Sequence, residues 1–187
     1  MDILKKRLAK IFFERSYKEG NFTLSSGRKS DYYFDCRQTA LHPEGAWLIG
    51  NLLNALLVDV DISAVGGMTL GADPLISAIT VISYELDRPL SGLIVRKEAK
   101  LHGTAQYVEG LANVHSGDRV AVIEDVVTTG NSLLLACERI KASGLTIAIL
   151  CTIFDREEGG KEFLQEAGYE LRSLFTRKEL VDLATSL

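Results

Sequence analysis

An α/β fold, with a mostly parallel, twisted sheet flanked by helices, is what this sequence predicts, and three features predict it. Short apolar runs alternate with segments of helical periodicity along most of the chain, the pattern of successive βαβ units. The chain has 187 residues, 47% hydrophobic and 25% charged, a length and balance that favour one domain with a real core. It contains no internal repeat, low-complexity tract or linker-like stretch that would divide it.

The elements follow in order. Asp2 to Phe13 reads as an amphipathic helix with Ile3, Leu4, Leu8, Ile11 and Phe12 on one side. A polar, glycine-containing stretch runs from Lys18 to Asp31, and Tyr32-Tyr33-Phe34 is a short aromatic strand candidate. Pro43 suits the first turn of a helix whose stripe is Leu48, Ile49, Leu52, Leu53 and Leu56. Ile62 to Val65 is a strand ending in Gly66-Gly67. Asp73 reads as a helix cap with Pro74 in the first turn, ahead of Leu75, Ile76, Ile79 and Ile82. Leu93 to Val95 and Val120 to Ile123 are further strands. The second leads to a helix carrying Leu133, Leu134, Ala136, Cys137 and Ile140, stopped by Gly144. Leu145 to Phe154 is a buried strand, followed by a short helix near Lys161, a strand near Leu171 and a last helix from about Lys178. Between Val95 and Arg119 no helical stripe appears. Loops of that length are usually functional or disordered, and this one opens on a basic cluster, which favours function.

Charge and cysteine content narrow the function classes. The net charge of −4 argues against a general nucleic-acid binder, while leaving room for an anionic small molecule at a locally basic site. Cys36, Cys137 and Cys151 are odd in number and widely spaced, so neither a disulfide framework nor a zinc motif is indicated, and a reducing cytoplasm is expected. Met1 to Arg15 interleaves charges with its apolar residues, unlike a signal peptide, and no apolar run is long enough to span a membrane.

A parallel sheet binds ligands at the carboxyl ends of its strands, which directs attention to the residues after Val65, Val95, Ile123 and Phe154. The strongest signal is Val120-Ala121-Val122-Ile123-Glu124-Asp125-Val126-Val127-Thr128-Thr129-Gly130. An apolar strand ends in two carboxylates, and a hydroxyl- and glycine-rich turn then enters a helix. Adjacent carboxylates can accept charge-assisted hydrogen bonds from a vicinal ribose diol, or help to position a magnesium ion directly or through water. The turn through Asn131 and Ser132 aims backbone N–H groups at one point before a helix N-terminus, a phosphate cradle aided by the hydroxyls of Thr128, Thr129 and Ser132. The competing reading is a capped helix after a buried strand, with Asp125 or Ser132 merely satisfying backbone donors. The glycine spacing matches neither a dinucleotide fingerprint nor a P-loop.

This segment resembles the phosphoribosyl-pyrophosphate motif of the type I phosphoribosyltransferases. The resemblance implies that Glu124 and Asp125 face the ribose hydroxyls and that Val126, Val127, Thr128, Thr129, Gly130, Asn131 and Ser132 surround the 5′-phosphate. A second signal, Arg96-Lys97-Glu98-Ala99-Lys100-Leu101-His102-Gly103, directly follows a strand. Arg96, Lys97, Lys100 and His102 can supply cations to a departing pyrophosphate; as a bare pattern it reads equally well as a solvated loop. It resembles the catalytic loop of the orotate phosphoribosyltransferases. That resemblance implies a mobile loop over 96–112, with Lys97 serving its own subunit. Arg96, Lys100 and His102 would reach across a homodimer interface.

Matches near the base complete the resemblance. Phe22 to Ser30 followed by Tyr32-Tyr33-Phe34 resembles the family's N-terminal region, where Tyr33 and Phe34 would lie against the pyrimidine; the alternative is that both are core strand residues. Phe154-Asp155-Arg156 closes a strand, and an arginine there binds orotate in the family. A guanidinium fork suits the 6-carboxylate that distinguishes orotate from uracil and purines. Thr128 is also expected near orotate, and Gly66 to Pro74 resembles the pyrophosphate loop. Ser25 and Leu70 stand where well-known members carry lysines, which shifts the leaving-group contacts toward backbone donors, the 96–102 loop and magnesium.

The resemblance implies the type I phosphoribosyltransferase fold as one domain over 1–187, with an N-terminal hood covering the base over 1–40 and a core sheet over 60–155. The expected reaction is displacement at ribose C1 by orotate N1, giving orotidine 5′-monophosphate and diphosphate. Lys100, His102, Arg96, Lys97 and Asp125 would carry the catalysis. Mg²⁺ would be held mainly by the phosphorylated sugar, with help from Asp125. The rival readings are a purine phosphoribosyltransferase and a non-catalytic, nucleic-acid-binding regulator of the same fold.

Overall fold

A computed structural model describes residues 2–23, 29–99 and 106–185. The elements are α1 (Asp2–Arg15), β1 (Tyr17–Thr23), β2 (Lys29–Phe34), α2 (Cys36–Ala40), α3 (Pro43–Leu56), β3 (Ala64–Met68), α4 (Asp73–Glu85), β4 (Ser91–Val95) and β5 (Val108–Glu109). After a short 3₁₀ turn at Leu111–Asn113 come β6 (Arg119–Val127), α5 (Asn131–Ala142), β7 (Thr146–Asp155), α6 (Gly160–Glu166), β8 (Leu171–Thr176) and α7 (Arg177–Thr185).

Six strands form the main sheet in the order β5-β4-β3-β6-β7-β8, and β1 pairs with β2 as a separate antiparallel ribbon. Every pairing in the main sheet is parallel except that of β5 with β4. The sheet extends beyond residue 155, because β8 pairs along β7 from Leu150↔Leu171 to Asp155↔Thr176. Apolar residues of α1, α3 and α4 pack with Val65, Ala121, Ile123 and Phe154 in one cluster. Leu133, Ala136, Cys137 and Ile140 of α5 pack with Val120, Val122 and Leu150 in a second. The sheet is therefore buried on both faces, which is why its strands read as continuous apolar runs. Chain order reverses between β3 and β6, the switch point at which such sheets open a crevice beyond their carboxyl ends.

Four differences from the sequence reading have physical causes. Tyr17–Thr23 is a strand; none of its seven residues is buried and five are exposed, so no apolar alternation marks it, and pairing with β2, interrupted by an irregularity between Glu19 and Phe22, is what holds it extended. α2 spans only five residues, too few to show a period. β5 lies inside the stretch read as loop, where two residues suffice to pair with Ile94 and Val95. Asp73 does not cap α4: Ala72 holds the cap position, and the Asp73 carboxylate instead accepts from Thr69 Oγ1 at 2.7 Å. Cys36, Cys137 and Cys151 are buried free thiols. Burial pushes both Cys137 and Cys151 up to about 12, so neither is a nucleophile at neutral pH. Among the described residues no helix is long and apolar enough to cross a membrane.

Candidate active site

β6 is longer than its apolar core suggests. It continues through Glu124 and Asp125 to Val127, because Val126 and Val127 pair with Phe154 and Asp155 of β7. The two carboxylates thus lie within the strand, at its sixth and seventh residues, rather than beyond its end, and the sheet fixes their backbone. Gly67 and Gly71 admit them. A Cβ on Gly67 would stand 2.3 Å from the Ile123 carbonyl oxygen, and one on Gly71 would stand 2.8 Å from Asp125 Oδ1, so the β3 turn approaches β6 only because both are glycine.

Burial raises both carboxyl groups above the ordinary carboxylate range. Glu124 is raised furthest, by its burial first and the neighbouring Asp125 second. Asp125 is raised by burial, against lowering by hydrogen bonding, which includes the Val126 amide at 2.9 Å. Glu124 Oε2 is buried with no hydrogen-bond partner among the described residues. An acceptor left so is costly, and a ligand hydroxyl or cation would satisfy it.

The bend after β6 is held from two sides. The Arg156 amide donates to the Val127 carbonyl at 3.0 Å, and the bend lies so close to α6 that a Cβ on Gly160 would meet Thr128 O at 2.7 Å. Gly130 adopts φ +82 at the N-cap of α5 and supplies no side-chain cap. The first-turn amides of α5 therefore face the cleft without a side-chain acceptor, the arrangement that binds phosphate. Thr129, Asn131 and Ser132 are exposed around it. Gly130→Val puts a Cβ 2.9 Å from Leu164 Cγ in a left-handed backbone. We expect a stability loss of about 1–3 kcal/mol in thermal melts and loss of ribose 5-phosphate binding by calorimetry.

The bend opens on a cleft of about 470 Å³. Thr128, Tyr33 and Arg156 line it together with the bend and Glu124. Arg156 is 6% exposed; its Nε donates to Glu158 Oε1 at 2.7 Å and its guanidinium carbon lies 4.6 Å from the Tyr32 ring centroid. A second hollow of about 280 Å³ adjoins the first through Glu124 and Ser132 and runs between Asp125, Lys97 and the turn at Thr69–Gly71, whose Thr69-Leu70 peptide is cis. The expected aromatic pair divides. Tyr33 is 39% exposed and lines the cleft, while Phe34 is 7% exposed, with its ring 4.6 Å from Phe154 and 5.2 Å from Phe12, so it borders the cleft as a core residue.

Arg96 lies where β4 gives way to the loop and pairs with Glu109 at 3.2 Å. Lys97 lines the second hollow. Lys100 and His102 lie outside the described residues, as does Ser25. Arg37 was not expected. It lines the second hollow, gripped by Asp35 through two contacts at 2.8 and 3.1 Å. The one sequence hint was a lone arginine just after the aromatic strand. No group of three or more metal-type side chains occurs among the described residues.

Comparison with known proteins finds relatives along nearly the whole chain. The phosphoribosyl transferase domain family matches residues 76–167. An orotate phosphoribosyltransferase from Nostoc sp. is 45% identical over 177 residues, covering 95% of this chain and 85% of that protein. The crystal structure of the Mycobacterium tuberculosis orotate phosphoribosyltransferase with Fe(III) dicitrate superposes with a TM-score of 0.82 at 39% identity, covering 95% of this chain and 98% of that one. The same enzyme in complex with 5-phospho-alpha-D-ribosyl 1-diphosphate gives a TM-score of 0.79 at 35% identity, over 95% and 99% of the two chains.

Proposed function

The chain belongs to the orotate phosphoribosyltransferases, pentosyltransferases of pyrimidine biosynthesis that move ribose 5-phosphate from its 1-diphosphate to orotate, and from that premise we propose how its residues divide the reaction. The observation that carries the assignment is that the two hollows meet at Glu124, one bordered by the phosphate bend and Arg156, the other by Lys97 and Arg37. Glu124 and Asp125 accept hydrogen bonds from the ribose hydroxyls, and the amides from Thr128 to Ser132 hold the 5′-phosphate. The diphosphate then lies toward Thr69–Gly71, where Arg37 and Lys97 face it, with Arg96, Lys100 and His102 expected from the loop. Orotate occupies the first hollow beside Tyr33 and Thr128, its carboxylate on Arg156.

Orotate N1 attacks ribose C1 with inversion as the bond to diphosphate breaks. Positive charge grows on the ring, as at other glycosidic centres, and negative charge grows on the leaving oxygen. Fixed cations near that oxygen stabilise the transition state more than the ground state. The unpartnered Oε2 of Glu124 beside Asp125 fits a Mg²⁺ carried in by the phosphorylated sugar. When bound, it neutralises diphosphate oxygens.

We further propose a homodimer. Val81 and Tyr84, three residues apart on one face of α4, are 60% and 77% exposed, an apolar pair suited to a second copy. Sedimentation of Val81→Asp/Tyr84→Asp should give a monomer; a wild-type monomer at micromolar concentration would refute the dimer. For the reaction itself, the test is loss of orotate absorbance on adding phosphoribosyl pyrophosphate and Mg²⁺. Turnover of adenine or guanine instead would assign the rival purine activity.

A further inference from the structure

Arg139, in the last turn of α5, makes contacts that the division of labour above does not use. Its guanidinium donates to the Arg96 carbonyl and, through Nη2 at 3.1 Å, to the Lys97 carbonyl. Its guanidinium carbon also lies 4.3 Å from the centroid of the Tyr107 ring. Arg96 and Lys97 are where the loop leaves β4, and Tyr107 is where the chain returns to β5; the two sides are joined by the Arg96 amide donating to the Tyr107 carbonyl at 2.8 Å. One planar cation thus holds both stems of the loop from behind, by two charge-assisted hydrogen bonds and a ring contact.

The sequence supplies a reason for the clamp. Beyond Val95 the β4 ladder has ended, so the carbonyls of residues 96 and 97 have no strand partner to orient their peptides. A guanidinium fork can serve two successive carbonyls, whereas a lysine ammonium serves as a point charge and does not stack in the same way. The clamp also sits on the same rigid helix as the phosphate bend. α5 begins at Asn131 beside the bend and reaches Arg139 two turns later, a rise of about 12 Å. The separation between the 5′-phosphate cradle and Lys97 is then set by one helix.

We propose that Arg139 is a positioning residue for transfer: by fixing the backbone of Arg96 and Lys97 relative to α5, it aims Lys97 into the diphosphate side of the cleft. The consequence for activity rests on the assignment of Lys97 above; the clamp itself does not.

The full-length protein tests both parts. Arg139→Ala should lower kcat by up to about 100-fold, the scale on which a small misplacement costs rate, while the KM for orotate stays within about threefold of wild type, because Arg156 is untouched. Arg139→Lys should recover only part of the loss. On a Lys97→Ala background, Arg139→Ala should cost almost nothing further, since residues acting as one unit are not additive; a fully multiplicative loss would overturn the positioning role. Backbone hydrogen exchange reads the clamp without turnover. The Arg96 amide should exchange faster in Arg139→Ala, and unchanged exchange would overturn the clamp. If exchange accelerates in a protein whose wild type consumes no orotate, the clamp stands and the assignment of function falls.

Discussion

Replacing Glu124 with glutamine and Asp125 with asparagine together should cut kcat/KM for phosphoribosyl pyrophosphate by about 10²- to 10⁴-fold, the equivalent of two hydrogen bonds to charged groups at about 1.5–3 kcal/mol each. The amides retain the shape but lose the charge, so the fold should survive. Stability should in fact move the other way. Both carboxyls have folded-state values raised by burial. The stabilisation from such a group is fully present below the unfolded carboxylate range and is lost as pH rises through the raised folded value. The ligand-free protein therefore becomes less stable with rising pH above the ordinary glutamate range, and Glu124→Gln should flatten that slope. At neutral pH the variant should melt above wild type. Thermal melts across pH in the absence of ligand check the sign. A variant that melts lower at every pH would show that the carboxylate is a structural partner. Ribose hydroxyls favour the ionised carboxylates, so substrate binding should also release protons, measurable by calorimetry in buffers of different ionisation enthalpy.

Arg156→Met should raise the KM for orotate by about 10- to 150-fold, the range for losing a charged hydrogen-bonding partner, and should leave phosphoribosyl pyrophosphate affinity nearly unchanged. The substitution has a structural side as well. Arg156 is buried and its Nε is committed to Glu158, whose side chain is 21% exposed. Removing the cation breaks the Arg156–Glu158 ion pair, which costs stability. Arg156→Met/Glu158→Gln should therefore regain most of the melting temperature without regaining orotate affinity. Initial rates over a matrix of both substrate concentrations separate the two effects. Recovery of orotate affinity in the double variant would mean that Arg156 acts through packing and not through the carboxylate.

The parts of this site that lie along one stretch of chain were legible in the sequence. The run from Val120 to Ser132 encodes strand, carboxylates, bend and helix entry contiguously, so its order could be read without knowing the fold. Arg156 is different: a lone arginine at a strand end is by itself more often a solvated charge, and only the family pattern singled it out. What the sequence did not expose depends on distant segments meeting. Arg37 sits in a five-residue helix with no periodic signature and matters only because α2 lies beside the β6 tip. Arg139 looks like an ordinary solvated charge on the polar side of α5; its contacts with residues more than 30 positions away arise only once β4 and α5 are packed. Phe34 and Tyr33 were indistinguishable as neighbours in an aromatic strand, and the packing of Phe12 and Phe154 decided which of them belongs to the core.

A crystal structure of the protein with bound phosphoribosyl pyrophosphate tests the central claim most directly. The 5′-phosphate should lie within about 2.7–3.2 Å of amide nitrogens between Thr128 and Ser132, with the ribose 2′- and 3′-hydroxyls on Glu124 and Asp125. A sugar phosphate bound with that bend vacant, or with both carboxylates touching no hydroxyl, would contradict the account.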